Sequence, residues 1–253
     1  RYDEALNLLG QIIERSTEYK NAIARKSSIL AGLPYGQIDE SFKLIYQAYK
    51  LDPENLNLLE SVAERAKDLD LYPVAEYMAK ELERLYPDNL GTLNLRYDLA
   101  LASGDFNKAE EMALQIKENY GGERTIYYFS TLYYVQEKYE EALAIIEEFE
   151  PELMQNPPAI NVSNAGWAGN AVVLFRELGR NEEADVFASE LCNYLKAKND
   201  GLEGNFTEKF DEFNCSIISQ KYDEAILMVD DLYFNDNWKS GWPEGLNTNI
   251  IPS

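Results

Sequence analysis

The chain has 253 residues, 45% of them apolar, which is enough for a sizeable core in one domain or two. It sets 45 acidic residues against 23 basic ones and has no histidine, for a net charge of −22. Such a surface repels phosphate backbones, so no direct nucleic-acid contact is expected of this segment. The lack of histidine removes Ser-His-Asp, Cys-His and HExxH chemistry.

The acidity is uneven: residues 1–126 hold 15 bases and 22 acids, residues 127–253 hold 8 and 23. The plain reading is a soluble, self-repelling surface; the sharper one is a docking face for basic partners. No run of about 18 uncharged apolar residues occurs, so no membrane span is expected. The opening residues do not read as a signal peptide.

In chain order, residues 1–18 read as a second helix without its first-helix partner. Because the sequence starts at Arg1 in mid-unit, it is expected to be a piece of a longer protein. The remainder would decide between a cytoplasmic and a periplasmic location. Residues 21–53 form a helix pair with a lengthened turn, AGLPYGQIDE, ending in LDPEN, where Asp52 or Asn55 is placed to cap the next helix.

The stretch from Leu56 to Pro87 is the clearest pair. Ala63, Ala66, Ala75 and Ala79, set among Leu59, Val62 and Leu82, mark a close helix crossing, which only small side chains permit. Pro73 opens the second helix, where its missing N–H costs nothing, and Pro87 ends it. Units 90–121 and 123–154 follow. After Pro151 the period breaks in PELMQNPPAINVSN, where Pro157 and Pro158 cannot be helix interior. Residues 164–195 resume the pattern, KAKNDGLEGN is a second insertion, and 205–234 form the last pair. The tail NWKSGWPEGLNTNIIPS has no helical period; its Trp238 and Trp242 are expected to fold back as a cap over the last apolar face. Cys192 and Cys215 fall on consecutive helices. They read either as two small buried apolar residues or, in an oxidising compartment, as a disulfide.

Each second helix carries a small residue soon after its start: Ala5, Ser41, Ala75, Ala109, Ala142, Ala184 and Ala225. The steps between them are 36, 34, 34, 33, 42 and 41 residues, and a helical period near 34 marks a repeat array. On these residues the chain resembles the tetratricopeptide repeat family over nearly its whole length. Leu59, Val62, Ala63 and Ala66 match the family's first-helix positions, and Ala75, Ala79 and Pro87 its second. Leu93, Tyr97, Ala100, Ala109, Ala113 and Gly121 match in the next unit, and Ile126, Phe129, Ser130, Tyr133, Ala142 and Ile146 in the one after. No repeat has the family's opening Trp, and Arg96 stands where Leu is usual.

The resemblance implies an all-α, right-handed superhelix of six helix pairs plus an N-terminal half repeat. It would be one repeat domain over 1–253: half repeat 1–18, regular repeats 21–154, two repeats with longer linkers 156–234 and a capping tail 235–253. It also implies non-catalytic binding of a partner protein or peptide on the concave face, which the first helices line. The groove positions between the packing positions are Asn57, Glu60, Glu64, Lys67, Asn94, Asp98, Tyr127, Thr131 and Tyr134. Glu60 and Glu64 are like charges at i,i+4, which a ligand's Lys or Arg would relieve. Phe129 and Tyr133 should face the core, Tyr127 and Tyr134 should not, and exposed tyrosines make good contact residues. The family's variant that clamps a C-terminal carboxylate uses Lys and Asn; here Lys26 lies near such a position, but Glu60, Glu64 and Asp98 have the wrong sign.

A second, looser resemblance is to the C-terminal repeat regions of bacterial winged-helix transcription regulators. It would make this segment a sensory or regulatory domain, with the DNA-binding part upstream of Arg1. No GxxxxGK[ST] or GxGxxG is present, and the acids around Asn199-Asp200-Gly201 lack calcium-loop spacing, so neither cofactor nor metal is expected. An enzyme or small-molecule site would need convergent polar groups closed off from water.

Overall fold

The structure, a computed structural model, describes residues 2–16, 18–32, 36–121, 124–199 and 206–233. Among them the secondary structure is wholly helical, with thirteen α-helices and one short 3-10 turn. Contacts divide the chain into two compact units, residues 1–125 and 126–253.

In the first unit, α1 (Tyr2–Arg15) stands alone and three pairs follow. These are α2 (Lys20–Ala31) with α3 (Ile38–Leu51), α4 (Leu56–Asp68) with α5 (Tyr72–Leu85), and α6 (Leu90–Ser103) with α7 (Phe106–Tyr120). In the second unit, α8 (Arg124–Val135), which begins at the boundary, precedes α9 (Tyr139–Phe149) and a 3-10 turn at Pro151–Met154. The pairs α10 (Ala165–Glu177) with α11 (Asn181–Lys198) and α12 (Phe206–Ile218) with α13 (Tyr222–Tyr233) complete it. The described fold is therefore a single helix followed by six consecutive helix pairs.

Each pair turns on one residue with positive φ: Gly36, Asp70, Gly104, Glu137, Gly179 and Gln220. Each lies five residues ahead of a small-residue anchor, Gly36 ahead of Ser41 and Gln220 ahead of Ala225, for example. In the last five pairs the same two bonds close the turn. The Leu71 N–H donates to the Ala66 carbonyl at 2.7 Å and the Asp70 N–H to that of Lys67 at 3.0 Å. The matching long bonds run from Asp105 to Ala100, Lys138 to Tyr133, Arg180 to Phe175 and Lys221 to Ser216. A left-handed residue with this bond pattern satisfies the last carbonyls of a helix and reverses the chain.

The close crossing sits where the alanines are. Leu59, Val62, Ala63, Ala66, Ala75, Ala79 and Leu82 are all fully buried. Each buried Leu or Val contributes roughly 1.5–3 kcal/mol of transfer free energy, and the alanines contribute mainly by letting the helices approach. In the second unit Ile126, Ala142, Ile146, Ala168, Ala171, Phe175, Ala184 and Phe187 play the same part.

Between pairs, asparagine caps the new helix: Asn55 Oδ1 accepts from the Leu58 N–H at 3.3 Å and Asn89 Oδ1 from Gly91 at 2.7 Å. Asp52 is not the cap; its carboxylate takes the Asn55 amide at 3.1 Å and the Lys20 ammonium. The Tyr86 hydroxyl donates to the Glu54 carbonyl at 2.6 Å, and Tyr120 repeats this on Asp88 at 2.7 Å.

In the first insertion the 3-10 turn buries Leu153 completely, and the Asn164 amide donates to the Ala159 carbonyl at 3.1 Å. The second begins later than expected, because α11 runs through Lys198. Lys-Ala-Lys contains no helix breaker, and Lys196 and Lys198 suit the negative end of the helix dipole. Cys192 and Cys215 form a disulfide, with Cα atoms 5.6 Å apart. The tail with Trp238 and Trp242 lies outside the described residues.

Candidate functional site

The groove positions divide between the two units. Six lie on the adjacent first helices α4 and α6 of the first unit. Asn57 and Glu64 are exposed, and Glu60, Lys67, Asn94 and Asp98 are half-buried. Tyr127, Thr131 and Tyr134 lie on α8 in the second unit.

On α4 and α6 the charges are sorted. Lys67 reaches across from α4 and forms an ion pair and hydrogen bond with Asp98 of α6. Burial pulls the Lys67 ammonium's pKa down. The charge and hydrogen bond of Asp98, helped by Asp68 and Glu64, outweigh it and hold the pKa above the ordinary lysine value. Lys67 is thus committed to Asp98.

Glu60 and Glu64 have no such partner: neither is hydrogen-bonded or ion-paired among the described residues. Burial, reinforced by the Glu64 charge one turn away, raises the Glu60 pKa above the usual carboxylate range. The burial comes from α6. The Glu60 carboxylate lies against the first turn of that helix, so close that a Cβ added at Gly91 would sit 1.8 Å from Oε1. Glycine at 91 is what lets the carboxylate rest there, a contact that the helical period of α4 alone does not reveal.

Arg96, the departure from the family pattern, is explained by α5. Its side chain is half-buried and pairs with Glu76 at 3.3 Å and Glu83 at 3.4 Å.

On α8, Tyr127 is exposed and meets Tyr128 edge-on, with ring centroids 5.1 Å apart. Tyr134 was expected to face away from the core. It is half-buried, packs against the core of its unit and lies 5.6 Å from the Tyr139 ring. Burial and then the Glu177 charge raise its pKa. The ring it meets, Tyr139, opens α9 on the far side of the turn. Tyr128, not among the expected packing residues, is buried.

Elsewhere, an open apolar groove of about 420 Å3 runs between α1 and α2, lined by Tyr2, Ala5, Leu8, Leu9, Arg25 and Ile29. Among the described residues no group of three or more His, Cys, Asp or Glu is placed to hold a metal. No described helix is long and apolar enough to cross a membrane.

No protein-family model matches the chain, and no curated protein matches it in sequence. Solved structures do match. A tetratricopeptide repeat protein from Parabacteroides merdae ATCC 43184 superimposes with a TM-score of 0.68 at 15% identity, over 93% of this chain and 88% of that one. The Naa15/Naa10 complex bound to HypK-THB aligns over 93% of this chain and 34% of that one, at 14% identity and a TM-score of 0.40. The first similarity, together with the helix pairs, gives this chain the tetratricopeptide-repeat fold.

Proposed function

We propose that this chain is a non-catalytic protein-binding module whose first-helix face on α4 and α6 takes a basic segment of a partner. The observation that carries the reading is the sorting of charge. Once Lys67 is bound to Asp98, Glu60 and Glu64 remain as two neighbouring carboxylates without an ion pair or hydrogen bond of their own among the described residues, one of them half-buried and the other near only the already paired Lys67. A Lys or Arg from a partner relieves their repulsion and supplies charge-assisted hydrogen bonds, with Asn57 and Asn94 alongside as amide contacts. The tetratricopeptide-repeat fold supports the broader reading as a scaffold, since such arrays expose long first-helix faces suited to extended partners. The exposed Tyr127 is a separate candidate contact on the second unit. No observation among the described residues favours the transcription-regulator reading.

The test is a selection of random peptides displayed on phage against the whole chain. Enriched peptides should carry Lys or Arg. Their affinity should fall at least about tenfold when Glu60→Lys and Glu64→Lys are combined, the cost of placing like charges at a docking site. The same peptides should keep their affinity for a control with Glu110→Lys and Glu118→Lys, both exposed on α7. Equal binding by both double variants would remove α4 from the site.

A further inference from the structure

We infer that the terminal pair α12–α13 is a redox-dependent element, docked by the Cys192–Cys215 disulfide and released when that bond is reduced. This pair is held differently from the others. α4 alone buries Leu58, Leu59, Val62, Ala63 and Ala66, and α10 buries Ala168, Ala171, Val172, Leu174 and Phe175. Among the described residues of α12 and α13, the buried apolar side chains are Ile218 and Ala225, and only Ile218 joins the core of the second unit.

What replaces apolar packing is polar. Asp211, Asn214 and Ser216 of α12 are buried. Asp211 accepts from the Asn199 amide at 2.8 Å, and Arg176 of α10 donates to the Ile218 carbonyl at 2.9 Å. These contacts are incomplete: Asn199 Oδ1 and Arg176 Nε are buried without a hydrogen-bond partner among the described residues. A half-satisfied polar interface is a weak one, because each unpaired buried group keeps its desolvation cost. The disulfide supplies the missing attachment. It ties α11 to α12 across a separation of 23 residues, and so it raises the effective concentration of α12 at its dock.

Both cysteines are half-buried, not enclosed in the core. The reductant is a dithiol. One of its thiolates attacks a protein sulfur and displaces the other as a thiolate; the second thiolate then resolves the mixed disulfide. The protein gains two electrons and two protons as two thiols, and the reductant leaves as its own disulfide. Reduction therefore removes the covalent tie and leaves the polar interface to hold α12–α13 alone.

Amide hydrogen exchange on the whole chain, oxidised and then treated with dithiothreitol, tests this, with alkylation and intact mass confirming the thiol state. The expected result is a rise of about tenfold or more in exchange over residues 207–229 on reduction, with α10 and α11 protected as before. The Cys192→Ala/Cys215→Ala variant should match the reduced protein without any reductant. Three results would overturn the inference: unchanged protection of α12–α13 after confirmed reduction, joint loss of protection across α10 to α13, or two alkylatable thiols persisting after oxidation with glutathione disulfide.

Discussion

Glu60 shows how far a single residue is readable from its own helix. The expectation that it faces a groove, and its repulsion with Glu64, both rest on spacing along α4 alone. Its half-burial does not, because it comes from Gly91, a residue with no side chain on the next first helix. The same limit hid the Lys67–Asp98 and Lys20–Asp52 pairs, which join residues 31 and 32 positions apart, less than one repeat. The consequence for stability has a definite sign. A carboxyl whose folded pKa is raised holds its proton to higher pH in the folded state than in the unfolded one. Folding is therefore favoured most below the ordinary glutamate value, and stability is lost as pH rises from there through the raised value. Glu60→Gln removes that loss. Urea denaturation at a series of pH values between about 4 and 7 should show the variant gaining on the wild type as pH rises, then levelling off. Parallel curves would mean that Glu60 titrates as an ordinary surface acid.

At the scale of the helix pair, the alanines were legible because close crossing admits few residue types; Ala63, Ala66, Ala75 and Ala79 are fully buried as their spacing requires. The turn residue was not legible. Three of the six left-handed positions are Gly, but Asp70, Glu137 and Gln220 occupy the others, so no residue type marks the site. The hydrogen-bond pattern, set by backbone geometry alone, is the feature that the last five turns share. The environment of Tyr134 was hidden for a related reason: the ring it packs on, Tyr139, lies on the far side of the turn and not on its own helix. The left-handed turns carry a prediction. Glu137 is exposed at φ 60°, a conformation that costs a residue with a Cβ roughly 1–2 kcal/mol and glycine almost nothing. Part of that gain is offset by the greater freedom of glycine in the unfolded chain. Glu137→Gly should therefore stabilise the protein by about 0.5–1 kcal/mol, read as a higher urea midpoint with an unchanged slope. A loss of stability would show that the Glu137 side chain makes a contact worth more than the backbone relief.

For the whole molecule, the net charge of −22 acts in two opposite directions. It loads the folded state with self-repulsion, because folding brings the acids of neighbouring helices closer than they lie in an open chain. Many surface cations are already paired locally, as in Arg65–Asp68, Lys108–Glu111 and Arg180–Glu183, so the excess acids outnumber the cations left to offset them. Dissolved salt screens that repulsion over a Debye length of about 10 Å at 0.1 M. The same screening would weaken the proposed attraction between Glu60, Glu64 and a basic partner, which depends on the same field. Stability and binding should thus respond to salt with opposite sign. Raising sodium chloride from about 0.02 to 0.3 M should raise the melting temperature and lower the affinity for a Lys- or Arg-bearing peptide, mainly by slowing association. If affinity stayed constant while the melting temperature rose, the charge would serve solubility alone, and the α4–α6 face would bind through shape and apolar contact.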